Sequence, residues 1–279
     1  MDHGTGHDGT SSLTLLLIPL VVLPAVSLCV YLFFAGRMRK TSRWSAWRMA
    51  SFTTGSLLII VAMLPPLSDW AHRDLRGHMA QHLLLGMFGP LGLVFGAPGT
   101  LLLRNVSVSA ARRIMAFLNA RPIRLLIHPV TAALLDIGGM YLLYLTPFFT
   151  LSMMNPAVFV FLHLHFVLSG YLFTWSIAGP DPAPRRPGMR MRLAVLFFAT
   201  AAHGILGKLM FGYGYPRGAA ADPAEIQTAA QWMYYGGDVA ELLLIIAFFA
   251  IWFRHRNRLP EMFAGTPPAR VAARKQSRF

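Results

Sequence analysis

Apolar residues run along this chain in long blocks, broken by short clusters of arginine, proline and glycine. A helix needs about 20 mostly apolar residues to cross the hydrocarbon core of a bilayer. Seven blocks reach that length, over 13–35, 46–64, 78–98, 126–147, 156–178, 193–213 and 229–253. The pattern predicts an all-α polytopic membrane protein. It divides into an N-terminal tail 1–12, a transmembrane bundle of seven helices 13–253 and a basic tail 254–279. No fixed repeat is visible, and no soluble stretch is long enough to form a second domain.

Composition agrees: 55% of residues are hydrophobic and 13% charged, against about 45–50% and about 25% in soluble domains. The net charge of +14 resembles a nucleic-acid footprint, but its placement argues for lipid instead. Of the 25 basic residues only Arg73, Arg76, Lys208 and Arg217 fall outside four clusters. Those clusters follow span one, separate spans three and four, separate spans five and six, and fill the C-terminal tail. Short loops rich in Lys and Arg stay in the cytoplasm. The expected topology therefore has the N-terminus outside and the C-terminus inside, with the bilayer as partner and no nucleic acid. The opening "MDHGTGHDGT" lacks the basic start of a secretory signal, so span one is expected to remain as an anchor. The single cysteine, Cys29, excludes a disulfide framework and any paired-thiolate metal site. Metal chemistry here must use imidazole, thioether or carboxylate.

Ionisable groups inside a membrane are costly and mark function by default. In span three, "RGHMAQHLLLGMFG" carries His78 and His82 four residues apart, both able to reach one ion from one helix turn. At about 100° per residue they share an arc with Gly89 and Gly96, which predicts an inward histidine face. Span five has His163 on the side of Gly170 and Thr174, with His165 pointing the opposite way. Span six aligns His203, Gly207, Met210 and Gly214, with Lys208 off that face. Span seven strings Gln231, Tyr234, Asp238 and Glu241 along a stripe read as interior. By depth these groups form a ladder from His78 at the outer rim to His203 and Glu241 near the midplane, with Asp136 of span four beyond it. His3, His7, His72, Met79, Met153 and Met154 add donors at the outer surface. Imidazole and thioether together suit copper. Core hydrogen bonding remains the structural alternative for His163 and His203, and proton relay for Asp238 and Glu241.

"GHMAQHLLLGMFGPLGLVFGAP" closely resembles the histidine-bearing helix of the CtaG-type cytochrome c oxidase assembly factors, with its H-M-x-x-H start and G-x-P end at Gly96-Ala97-Pro98. "HLHFVLSGYLFTW" is similar to that family's next motif, with His163 in the matching place, and "QWMYYGGDVAELLL" to the last helix of one branch. The resemblance implies a bacterial plasma-membrane protein that helps mature a haem–copper oxidase. It implies copper delivery to the buried copper centre of the catalytic subunit, with an extracytoplasmic copper chaperone as a further partner. The expected metal residues are His78, His82, His163 and His203 with Met79, and Asp238 and Glu241 balance charge. Ligand exchange of this kind needs no turnover, so the expectation is not an enzyme. The rivals are a b-haem electron carrier, a copper or proton-coupled transporter, and a scaffold with structural histidines.

Overall fold

The computed structural model describes residues 8–42, 44–183 and 185–264. Among them every regular element is helical: α1 (Asp8–Ser42), α2 (Ala46–Met63), α3 (Leu67–Arg73), α4 (Leu75–Leu83), a π-helical stretch Leu84–Phe88, α5 (Gly89–Phe95), α6 (Pro98–Asn105), α7 (Val108–Leu118), α8 (Arg121–Leu126), α9 (Pro129–Leu145), α10 (Phe148–Met154), α11 (Pro156–Ala178), α12 (Met189–Tyr213) and α13 (Pro223–Ala264). The expected N-terminal residues His3 and His7, and the tail beyond Ala264, lie outside the described residues.

Among the described residues, six helical segments are long and apolar enough to cross a membrane: Ile18–Met38, Ala46–Met63, Leu75–Phe95, Pro156–Ala178, Met189–Tyr213 and Pro223–Phe253. The predicted fourth span corresponds to the 17-residue α9, which joins α10 across an 83° bend. Thr146 and Pro147 cause the bend. Proline has no N–H for the helical ladder and disfavours helical geometry in the residue before it, and Thr146 is extended, with ψ 171°. The count is therefore six, or seven when α9 and α10 are taken as one broken span. Helix α13 begins before the predicted start of span seven and runs on past its predicted end.

Packing follows the small residues. The α4–α5 helix lies at the centre, its first half against α13 and its second against α2 and α11. Glycine permits the closest approaches. A Cβ on Gly92 would sit 2.6 Å from the Gly55 Cα, and one on Gly170 would collide with the Gly86 carbonyl. The largest buried cluster joins α4, α9, α11, α12 and α13 through Met79, Met140, Tyr144, Phe166, Leu206, Met210 and Met233. At the arginine-rich end, Tyr31 stacks on Phe52 with ring centroids 3.9 Å apart. Its hydroxyl donates to the Gly96 carbonyl at 2.8 Å. Ala97 takes a left-handed conformation, φ 53°, to turn the chain into α6.

Candidate functional site

Helix α4 begins at Asp74, whose carboxylate accepts the Arg76 N–H at 2.8 Å, while Glu225 of α13 accepts the Leu75 N–H at 2.7 Å. Both acids satisfy donors that a helix start leaves open. One turn further, His78 and His82 project from the same face, each 3% exposed. Neither ring has a hydrogen-bond partner at either nitrogen among the described residues. Buried polar atoms are partnered in the large majority of cases, so two adjacent imidazoles without partners are unusual.

Aromatic rings enclose the pair. Tyr144 of α9 meets both imidazoles edge to face, with centroids 6.0 Å away in each case. Phe149 lies 5.2 Å from His78 and Phe166 4.6 Å from His82. The Tyr144 hydroxyl is buried and likewise lacks a partner among the described residues. Tyr144, Phe149 and Phe166 were not anticipated as site residues, although span boundaries alone bring α9, α10 and α11 to this level. Met79 is fully buried in the core cluster beside the pair.

The inward direction of the histidine face is as predicted, but the glycines do not share it. A Cβ on Gly89 would stand 2.6 Å from the Ile59 side chain, and one on Gly96 2.6 Å from Phe52, so both glycines face α2. The intervening π-helical stretch explains the divergence. Its wider i→i+5 winding, closed by Gly89 N–H to the Leu84 carbonyl, turns the helix less per residue than an α-helical wheel assumes.

His163 is buried beside this pocket but differently engaged. Its Nδ1 lies 2.7 Å from the Phe159 carbonyl and its Nε2 3.1 Å from Gln81 Oε1. Gln81 in turn donates to the Ala62 carbonyl at 2.7 Å. Both neighbours of the ring are acceptors, and a neutral imidazole has one N–H to offer. Neither nitrogen faces open space. Gln81, unremarked in the sequence, sits next to His82 and thus ties α4, α2 and α11 together. His165 points away as predicted, its Nε2 3.0 Å from the Leu135 carbonyl. Outside the span, His72 lies over Phe159 with centroids 4.7 Å apart, and its Nδ1 is 2.6 Å from the Ser68 carbonyl.

His203 and Glu241 form the deeper pair, with Nδ1 to Oε1 3.4 Å. The His203 ring lies on Gly237, which no larger residue could replace without displacing it. Asp136 accepts the Ser169 hydroxyl at 3.0 Å. Asp238 does not join this interior. It is exposed on the outer face of α13, as Gln231 is, and Tyr234 is half-buried. The buried face of α13 is made by Ala230, Met233, Gly237, Ala240 and Leu244. Glu241 sits at its edge, and Asp238 lies about 60° further round. Among the described residues no group of three or more His, Cys, Asp or Glu side chains is placed to hold one metal ion. The predicted set is thus distributed as a His78–His82 pair, a Gln81-bound His163 and a His203–Glu241 pair.

Fold and site together define a multipass α-helical membrane protein with a buried pair of imidazoles, unpartnered among the described residues, one turn inside a helix start. Residues 29–255 match the family described as cytochrome c oxidase caa3 assembly factor (Caa3_CtaG), and the chain belongs to that family. It is 28% identical over 244 residues to an uncharacterised protein of Mycobacterium bovis and to one of Mycobacterium tuberculosis, covering 81% of this chain and 37% of each relative. An uncharacterised protein of Mycobacterium leprae is 29% identical over 244 residues, covering 79% of this chain and 36% of that protein. The chain thus spans little more than a third of the length of the curated relatives it matches. No solved structure matches it.

Proposed function

We propose that this chain matures a haem–copper oxidase by receiving copper at His78 and His82 and passing it to the oxidase catalytic subunit. The observation that carries this reading is the pair of buried imidazoles with four nitrogens unpartnered among the described residues, in a chain whose residues 29–255 match the oxidase assembly family. Copper is cargo here, not a resident cofactor. Imidazole is a suitable ligand for it, and two donors without a converging third hold an ion less firmly than a closed cage does. Such a site favours transfer over storage, and it needs no catalytic turnover. Met79 and the Tyr144 hydroxyl are the auxiliary groups in this reading, whereas His163 orients α4 through Gln81. The His203–Glu241 pair is a place to which an ion or proton moves next. In this reading the arginine-rich loops lie in the cytoplasm of a bacterial plasma membrane, so the α4 start faces outward, where an extracytoplasmic copper chaperone would load it.

The test is made in cells lacking the chain. Oxidase polypeptides should be present but copper-poor, with activity restored by the wild-type protein and not by His78→Ala/His82→Ala. Full restoration by that double variant, present in the membrane at wild-type level, would remove the pocket from the mechanism.

A further inference from the structure

At the arginine-rich end of the bundle, away from the His78–His82 pair, a cavity of about 410 Å³ opens between α8, the end of α11 and the loop leading to α12. Arg121, Arg124, Arg185 and Arg186 line it, together with His128 and Trp175. Neither ion pair found among the described residues involves any of these arginines. Asp181 is the acid whose charge reaches Arg186, but its carboxylate is occupied at the start of α6. It accepts the Gly99 N–H at 2.8 Å, the Thr100 N–H at 2.6 Å and the Thr100 hydroxyl at 2.6 Å, which caps α6.

Three donors at this cavity are in place and unpartnered among the described residues. Arg186 is fixed by the Gly179 carbonyl at 2.5 Å and the Asp181 carbonyl at 3.0 Å. Its Nε, the Arg124 Nε and the Trp175 indole N–H are all buried without a partner among the described residues. Burial pushes the Arg186 guanidinium down to about 10, with Arg192 adding repulsion. An anion bound beside such a group offsets that penalty. Planar guanidinium groups match phosphate oxygens in geometry and charge. The apolar side of the cavity, at Leu125 and Ile127, borders the membrane-spanning region.

We propose that this cavity binds a phosphate group, held by Arg124, Arg186 and the indole N–H of Trp175, with Arg121 and Arg185 at its mouth. The group is the headgroup of an anionic phospholipid or a free phosphate, and the two sources separate by experiment. Basic pockets between transmembrane helices are where anionic headgroups bind.

The test uses the full chain in mild detergent, probed by native mass spectrometry with phosphatidylglycerol and, separately, by thermal melting with inorganic phosphate. Arg121→Gln/Arg124→Gln is the informative variant, because neither guanidinium makes a side-chain hydrogen bond among the described residues. Its unliganded melting temperature should equal that of the wild type. Retention of phosphatidylglycerol should fall at least ~10-fold in this variant, the loss expected for one charge-assisted contact. Trp175→Phe, which keeps the ring and removes the N–H, should show a smaller fall. A melting temperature raised by inorganic phosphate in the wild type alone identifies the free ion as the ligand; lipid retention lost without that effect identifies the headgroup. Equal binding of both probes by wild type and variant, or binding of neither by the wild type, overturns the proposal.

Discussion

His78, His82 and Tyr144 concentrate five buried polar atoms that are unpartnered among the described residues, and their individual substitutions separate structure from function. Tyr144→Phe removes a hydroxyl that makes no hydrogen bond among the described residues, so it should leave the melting temperature of the purified protein unchanged or slightly higher. A fall of several degrees would mean that the hydroxyl is bonded. Gly237→Ala should do the opposite, because its Cβ would enter the His203 ring. Overpacking of this kind costs about 1–3 kcal/mol, measurable as a lowered melting temperature. Asp238→Leu replaces an exposed acid on the outer face of α13 and should be neutral or stabilising in a lipid environment, with copper binding unaltered. Loss of copper on that change would return Asp238 to the interior. At this scale the sequence identified His78, His82, His203 and Glu241 as buried polar groups, because ionisable residues inside apolar blocks are conspicuous. It misplaced Asp238, because which small residues a helix buries is decided by neighbours that no single wheel contains.

Helix starts and breaks govern where those residues point. Asp74 both caps α4 and pairs with Arg76, whose guanidinium it meets at 2.5 Å. The Arg76 hydrogen bonds hold its carboxyl down to about 2 from an ordinary 3.8. A carboxyl lowered on folding stabilises the folded state above its unfolded value, and that contribution is lost as the pH falls through the folded one. Melting measured from pH 5 to pH 2 should therefore drop more steeply for the wild type than for Asp74→Asn between about pH 4 and pH 2. Parallel curves would remove Asp74 from the account of the α4 start. Asp181 performs a similar task for α6 through three contacts. Asp181→Ala should destabilise the protein by roughly 1.5–3 kcal/mol, the range for hydrogen bonds to a charged group, in the same melting assay. The spans were legible from apolar length, but the fourth was read as unbroken over 126–147, and the α9–α10 bend at Thr146 and Pro147 emerges only in the structure. The π-helical stretch was not legible either, since "LLGMF" has no residue that demands it. That stretch is why the histidines and Gly89 and Gly96, aligned on paper, face different helices.

The whole molecule has two chemically distinct ends. One carries the α4 start and the enclosed imidazole pair; the other carries the arginine loops, the Tyr31–Phe52 anchor and a cationic cavity. Copper transfer is proposed for the first and phosphate binding for the second, and each can fail without the other. The central claim concerns the imidazoles, and metal analysis of the purified protein after copper loading and desalting tests it most directly. The account predicts about one copper per chain in the wild type, retained in His163→Ala and absent in His78→Ala/His82→Ala. Copper retained at wild-type level in the His78→Ala/His82→Ala protein would contradict it.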